Sequence, residues 1–183
     1  MNRRRFLATA GSVGTLATAG CLDRISGDGQ RIPDGMTVET HHTNDIVLRD
    51  TAQFHEDINS YHLLITDRSS AQDRFAPEEP GSDMPPADAD AIAFIEDTDF
   101  NQSYIVIVQY GMQSLRWLEL SSIDRSGDGG ILVSVETDDD GYNDDWTVHS
   151  KIIRITDEAE DIPVEVVAEV DGESTAFDEV AER

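Results

Sequence analysis

A run of carboxylates between residues 136 and 145 has the spacing of a calcium-binding loop. When Gly141 is aligned with the glycine of such a loop, oxygen donors fall at ligand positions 1, 3, 5 and 9. However, Thr147 stands where the bidentate glutamate is required, and segments typical of strands flank the run. The pattern favours a solvated hairpin loop, with a calcium-like or small-solute binding site as the alternative. The candidate ligands are Glu136, Asp138, Asp140 and Asp144.

The five histidines offer imidazole ligands for zinc or another divalent metal. His41 and His42 are adjacent, so they point to opposite faces if their segment is a strand. His55 is followed by Glu56 and Asp57 and precedes His62, but no two histidines have the i, i+4 spacing of a helical metal motif. The sequence therefore predicts no metal site at the histidines and no cofactor.

Nucleophilic catalysis is not predicted either. The chain contains no Gly-x-Ser-x-Gly segment, and its single cysteine, Cys21, lies near the N-terminus. Carboxylates occur throughout the chain, so paired acids do not single out a hydrolase site. We expect a protein that is not an enzyme, because no set of residues meets the geometric demands of a catalytic site.

The two tryptophans are candidates for contact with a partner. Trp117 shares a face of a predicted strand with Leu115, which favours a position in the core. Trp146 follows the acidic run and is expected to be the more exposed of the two. We therefore interpret Trp146 as the candidate partner contact.

The first 20 residues have the organisation of a secretory signal. Arg3 and Arg4 precede Phe6 and Leu7, and a weakly apolar stretch follows. The paired arginines resemble a twin-arginine (Tat) signal, which implies export of the folded protein. The apolar stretch is shorter than the ~20 residues that a spanning helix needs, so no transmembrane helix is predicted.

The end of this segment, Thr18-Ala19-Gly20-Cys21, resembles a lipobox, although Thr18 stands where leucine is usual. The resemblance implies cleavage before Cys21 and a diacylglycerol group on its thiol. Two acyl chains suffice for stable anchoring, so the expected location is the outer face of the cell membrane. The alternative is a cleaved signal that leaves an unmodified cysteine close to the cleavage site.

The composition is strongly acidic. The chain carries 38 Asp and Glu against 13 Lys and Arg, with a formal net charge of −25, and Lys151 is its only lysine. This composition resembles that of proteins from extremely halophilic archaea. In molar salt the Debye length is only ~3 Å, so the repulsion between the acidic side chains is largely screened. Nucleic acid is excluded as a partner, since neutralising phosphates requires Lys and Arg.

The chain divides into four parts by composition. Residues 1–20 are the Tat-type signal peptide, and residues 21–35 comprise the lipidated cysteine and a flexible acidic tether. Residues 36–170 are interpreted as a single β-rich domain and residues 171–183 as a polar tail. Within the domain, the Pro-rich acidic stretch at 76–90 predicts a loop.

Alternation of apolar and polar residues predicts a mostly β fold. We expect an antiparallel β-sandwich or barrel-like domain with one or two short helices. The near-continuous apolar run at 103–110 predicts its central strand. The helices are predicted at 52–59 and at 69–75, the second with Asp67 or Ser69 as its N-cap. The other predicted strands are 36–40 and 45–49, which could pair as a hairpin, 61–66, 115–123, 131–136, 146–155 and 164–170.

The order of segments between residues 61 and 155 resembles that of PrcB-like C-terminal domains, which are small β-rich modules of exported proteins. The resemblance comprises the strand at 61–65, the helix at 69–75, Asp99-Phe100, and a long apolar strand that ends in Gly111. The Thr-Gly-Gly-Tyr segment usual after that glycine is replaced by Met112-Gln113-Ser114. The resemblance implies a compact β domain without catalysis.

Together these observations predict a surface-anchored lipoprotein with a non-catalytic interaction domain. The expected partners are the membrane, through the lipid anchor, and another envelope protein or polymer. The partner would bind near Trp146 or along a strand edge at 164–170. The competing class is a divalent-cation or small-solute binder that uses residues 136–145.

Overall fold

The computed structural model describes residues 30–44, 60–74, 88–127, 129–138, 145–158, 162–163 and 165–177. Two helices lie within them, α1 (Arg68–Arg74) and α2 (Ala89–Glu96). The strands are β1 (Met36–Thr43), β2 (Ser60–Ile65), β3 (Ser103–Gln113), β4 (Leu118–Arg125), β5 (Ile131–Thr137), β6 (Trp146–Asp157), β7 (Val166–Val170), β8 (Glu173–Ser174) and β9 (Ala176–Phe177).

The strands form two sheets. The larger has the order β1-β6-β3-β2-β9, with antiparallel pairing from β1 to β2 and parallel pairing of β9 with β2. The smaller has the order β4-β5-β7-β8, with β5 and β7 parallel. The mostly β prediction is confirmed. The described residues form a sandwich of two sheets and not a closed barrel.

The central strand β3 is buried on both of its faces, which explains its continuous apolar sequence. Val106 and Val108 point to one face and pack in a cluster that also contains Val133 of the smaller sheet. Ile105 and Ile107 point to the other face and pack with residues of α1 and α2. The fold therefore has three layers, with the helices covering the outer face of the larger sheet.

Helix α1 was predicted and helix α2 was not. The carboxylate of Asp67 accepts a hydrogen bond from the backbone N–H of Ser70 at 2.9 Å, which confirms Asp67 as the N-cap of α1. The stretch at 76–90 was interpreted as a loop, but α2 begins at Ala89, with Asp88 as its N-cap. The predicted strand at 45–49 and helix at 52–59 lie outside the described residues.

A bidentate ion pair joins the two sheets. The guanidinium of Arg125 in β4 donates to the carboxylate of Asp157 in β6 at 2.6 and 2.9 Å. The side chain of Asp157 is only 6% exposed. Both carboxylate oxygens accept hydrogen bonds, and the Asp157 side chain is shielded from water. Bidentate pairs between charged groups are among the stronger hydrogen bonds, so this pair holds one sheet against the other.

The exposed edges of the smaller sheet are partly covered by short returns of the chain. At the β7 edge, β8 pairs with Glu169 and Val170, and the backbone N–H of Thr175 donates to the carbonyl of Ala168. At the β4 edge, Arg31 forms a parallel bridge with Ser122. These returns cover the β7 edge from Ala168 to Val170 and the part of the β4 edge around Ser122, which limits pairing with another chain there.

Candidate functional site

Trp146 lies exposed at one end of the sandwich. It is the first residue of β6, pairs with Gln113 of β3, and is 59% exposed. Its indole crosses Gly111 so closely that a Cβ atom on that glycine would lie 2.0 Å from Cζ2 of the ring. The absent side chain at Gly111 thus makes room for the indole to lie against β3.

Trp117 also lies at this end and is 52% exposed, so its predicted core position is wrong. The reason is local: the backbone N–H of Arg116 donates to the carbonyl of Gln113, which makes a turn, and β4 begins only at Leu118. Leu115, in the same turn, is 55% exposed. We call Leu115, Trp117 and Trp146 the aromatic end.

The two indoles approach this end from opposite faces of the larger sheet. Trp146 shares a face with Gly111 and Gln113, since strand side chains alternate and Trp146 pairs with Gln113. Trp117 contacts His42, with ring centroids 4.6 Å apart, on the face that is turned toward the smaller sheet. The aromatic end therefore presents two separate anchors on either side of β3.

A pair of histidines lies next to Trp117. His42 Nε2 is 3.3 Å from His149 Nδ1, and His149 Nε2 is 3.0 Å from the carbonyl oxygen of Gln113. A carbonyl only accepts, so His149 donates its Nε2–H to Gln113 and carries a lone pair on Nδ1. His42 then donates its Nε2–H to that lone pair. The hydrogen bonds fix the His149 ring, and the His42 ring lies in contact with Trp117.

Both imidazoles of this pair are neutral at neutral pH. Burial, together with the nearby His149 and Lys151, lowers the pKa of His42 to about 3. Burial also lowers the pKa of His149, which is fully buried. Lys151 pairs with His42 across β1 and β6 and is 6% exposed. The only lysine of the chain is thus inside the sandwich, beside the histidine pair.

The other described histidines do not join this pair. His41 points to the opposite face, as the strand alternation predicted. There it stacks on Phe94, and its Nε2 lies 3.4 Å from a carboxylate oxygen of Asp88. His62 is buried, with Nδ1 2.6 Å from Thr175 Oγ1 and Nε2 3.0 Å from the carbonyl of Val166. These contacts indicate structural roles, and His55 lies outside the described residues.

Sequence reasoning did not bring His149 and Lys151 into a candidate site. A signal was present: Thr147, His149 and Lys151 are polar at alternate positions in the first half of β6. All three therefore point to one face of β6. Their proximity to His42 depends on the register between β1 and β6, which residue spacing alone did not provide.

Only half of the predicted cation ligands lie within the described residues. The Glu136 carboxylate accepts a hydrogen bond from Ser121 Oγ at 2.9 Å, in a groove of about 510 Å³ that Glu169 also lines. Asp138 donates its backbone N–H to the carbonyl of Trp117. In the described part of the chain, no three His, Cys, Asp or Glu side chains are grouped to hold a metal. Asp140 and Asp144 lie outside it, and the calcium site stays a prediction.

The predicted export and anchoring residues, Arg3, Arg4, Phe6, Leu7 and Cys21, also lie outside the described residues. Neither described helix has the length and apolar character that crossing a bilayer requires. Comparisons with protein-family models, with curated proteins and with solved structures found no match for this chain.

Proposed function

We propose that this chain is an exported, lipid-anchored protein whose β domain binds another envelope protein through the aromatic end. The domain is a non-catalytic interaction module in this proposal. The single observation that carries it is the position of Trp146, a large aromatic side chain that is 59% exposed and lies against Gly111. Tryptophan dominates the binding energy of many protein interfaces, so an exposed and well-supported indole is a strong anchor.

The support beneath the two indoles favours binding. Trp146 is seated over Gly111, and Trp117 rests against the ring of His42. Ordering a mobile side chain at an interface costs about 0.5–1.5 kcal/mol, and a side chain that is already held avoids much of that cost. The aromatic end thus offers apolar surface to a partner, and its two indoles are already held in place before a partner binds.

The strand edge at 164–170 is a weaker docking surface than the sequence suggested. Its neighbour β8 and the backbone of Thr175 already occupy the edge from Ala168 to Val170. Strand addition needs a row of available backbone groups. We therefore prefer the aromatic end to the β7 edge as the partner site.

The anchoring half of the proposal rests on the N-terminal sequence. A Tat-type signal and a lipobox-like end imply a diacylated Cys21 at the outer face of the membrane. The net charge of −25 suits a protein that works in concentrated salt. A short acidic tether would then hold the β domain close enough to meet envelope proteins.

The test compares Trp146→Ala with Val167→Ala, a matched loss of an exposed apolar side chain on β7. Each variant is purified as the full chain from detergent-solubilised native membranes in molar salt, and co-purified proteins are quantified by mass spectrometry. A partner present with wild type and Val167→Ala but depleted with Trp146→Ala supports the proposal. The same partners at the same levels in both variants would reject the aromatic end as the docking site.

A further inference from the structure

We propose that this chain forms a two-fold symmetric dimer in which β1 of one copy pairs antiparallel with β1 of a second copy. The larger sheet then continues from one copy into the other. β1 pairs with β6 on one side, and no strand among the described residues pairs with its other side. We call this outer side of residues 36–43 the β1 edge.

The other three sheet edges are each protected within the described residues. β9 pairs with β2 at Tyr61 and His62, and β8 pairs with β7 at Glu169 and Val170. β4 carries a bulge after Leu120, and Arg31 forms its bridge to this strand. Short covering strands and bulges of this kind prevent unpaired backbone groups from pairing with another chain.

The β1 edge has none of these devices. β1 is eight residues long, contains no proline or lysine, and keeps an unbroken register with β6. Its single acidic residue, Glu39, is neutralised by an ion pair with Arg154 at 2.6 Å. Residues 37–42 are exposed or half-buried. The β1 edge is therefore a long strand edge of low charge in a chain of net charge −25, and such an edge suits strand addition.

The described chain leaves β1 in a direction away from this edge. Asn44 Nδ2 donates to the carbonyl of Ser114 at 3.5 Å, and the carbonyl of Asn44 accepts from Thr147 Oγ1 at 3.3 Å. Ser114 follows β3 and Thr147 belongs to β6, so both partners lie on the side of β1 that faces the rest of the sheet. Within the described residues the chain does not return along the β1 edge.

Two-fold symmetry restricts the register of the pairing. The axis is perpendicular to the sheet, so it passes through one residue of β1, which then lies opposite its own copy. With the axis at Thr40, Glu39 lies opposite His41 of the second copy, and the same pair recurs across the axis. With the axis at Glu39, two carboxylates would lie opposite each other, and like charges in that position are destabilising. The axis at Thr40 is therefore the favoured register.

This register favours a second copy of the chain over an unrelated extended peptide. A carboxylate opposite an imidazole, repeated on both sides of the axis, makes the β1 edge complementary to itself. Pairing also removes both unprotected edges at once. The assembly therefore closes as a dimer and does not grow into a fibre.

The test is disulfide cross-linking of the full chain in molar salt, in a Cys21→Ser background that has no other cysteine. Thr40→Cys should form a linked dimer, because opposite residues of antiparallel strands have Cα atoms about 4.5–5.5 Å apart, within disulfide range. Thr37→Cys is the control. Thr37 is more exposed than Thr40, but the two copies of position 37 would be about 20 Å apart in this register.

Sedimentation of the wild-type chain gives an independent readout and decides the question if Thr40→Cys does not fold. Its mass should rise from monomer to dimer with concentration. Equal cross-linking at positions 37 and 40, or no cross-link at 40 in a chain that dimerises, would overturn the proposal. So would a monomer up to about 1 mM, the result expected if residues 45–49 or another protein occupied the β1 edge. Trp146→Ala should dimerise like wild type, so this outcome is independent of the docking function.

Discussion

The indole of Trp146 occupies the space that a side chain on Gly111 would need. A Cβ atom there would lie 2.0 Å from Cζ2 and 2.8 Å from Cε2 and Cη2 of the ring. The exposed anchor of the proposed interface is therefore defined by a glycine on the neighbouring strand. Gly111 and Trp146 are far apart in the sequence, so their contact becomes evident only from the register between β3 and β6.

Gly111→Ala should displace the indole of Trp146 and destabilise the fold. Overpacking of this kind costs about 1–3 kcal/mol, and less where the displaced ring can swing into solvent. The measurements are urea unfolding in molar salt and the fluorescence of Trp146 in a Trp117→Phe background. Gly127→Ala is the control, since a Cβ atom there meets nothing within 4 Å. Unchanged Trp146 fluorescence in Gly111→Ala would show that the ring does not rest on the glycine.

Asp157→Asn should cost more stability than loss of a surface ion pair. It removes the carboxylate charge that neutralises Arg125. Breaking a fully buried pair costs about 3–5 kcal/mol, and because the Arg125 side chain is 24% exposed we expect a cost below that range but above that of a surface pair. Arg31→Gln is the matched control, because the side chains of the Arg31–Asp124 pair are 75% and 43% exposed. That change should cost at most about 1 kcal/mol. Equal free energies of unfolding for the two variants would contradict a locking role for Arg125 and Asp157.

Asp67→Ala should remove the N-cap of α1 and cost about 1 kcal/mol near neutral pH. Hydrogen bonds from Ser69, and then from Ser70, lower the pKa of Asp67 from 3.8 to about 2. A carboxyl group with a lowered folded-state pKa stabilises fully above 3.8 and loses that effect as the pH falls through 2. The stability difference between wild type and Asp67→Ala should therefore shrink over that range.

Unfolding curves in molar salt at several acidic pH values measure this difference. Glu119→Ala, which removes a carboxylate from an exposed position on β4, controls for the general loss of negative charge. A difference between wild type and Asp67→Ala that stays constant down to pH 2 would argue against the capping role.

Cys21→Ser should release the protein from the membrane if the thiol carries the anchor. Membrane attachment by two acyl chains is stable, whereas an unmodified N-terminus has no such affinity. The measurement is the distribution between membrane and soluble fractions, with intact-mass analysis of the N-terminal peptide. Ser26→Ala, in the predicted tether, is the control. A wild-type peptide that has the unmodified mass of Cys21 would disprove lipidation.

The core of the fold could be predicted because its signals are local. The run at 103–110 is almost continuously apolar because Val106 packs against the smaller sheet while Ile105 and Ile107 pack against the helices. The sequence likewise predicted Asp67 or Ser69 as the N-cap of α1, and the hydrogen bond from the Ser70 backbone identifies it as Asp67. Helix α2 was missed because the prolines just before it suggested a longer loop, although Ala91, Phe94 and Ile95 have helical spacing and are buried.

The candidate site could be predicted only in part. Trp146 was identified as exposed from its place next to the acidic run. The position of Trp117 was predicted wrongly because the alternation of apolar and polar residues does not show where a strand begins. Here a turn places Trp117 just before β4 and outside the core. The pairing of His42 with His149 joins residues 107 positions apart, so it depends on tertiary register.

The burial of Lys151 has a practical consequence for labelling experiments. The chain has no second lysine, and this one is 6% exposed. Amine-directed dyes and acylating reagents will find no accessible side-chain amine on the folded molecule. The rate of ε-amino modification will therefore report opening of the sandwich directly, without any engineered probe.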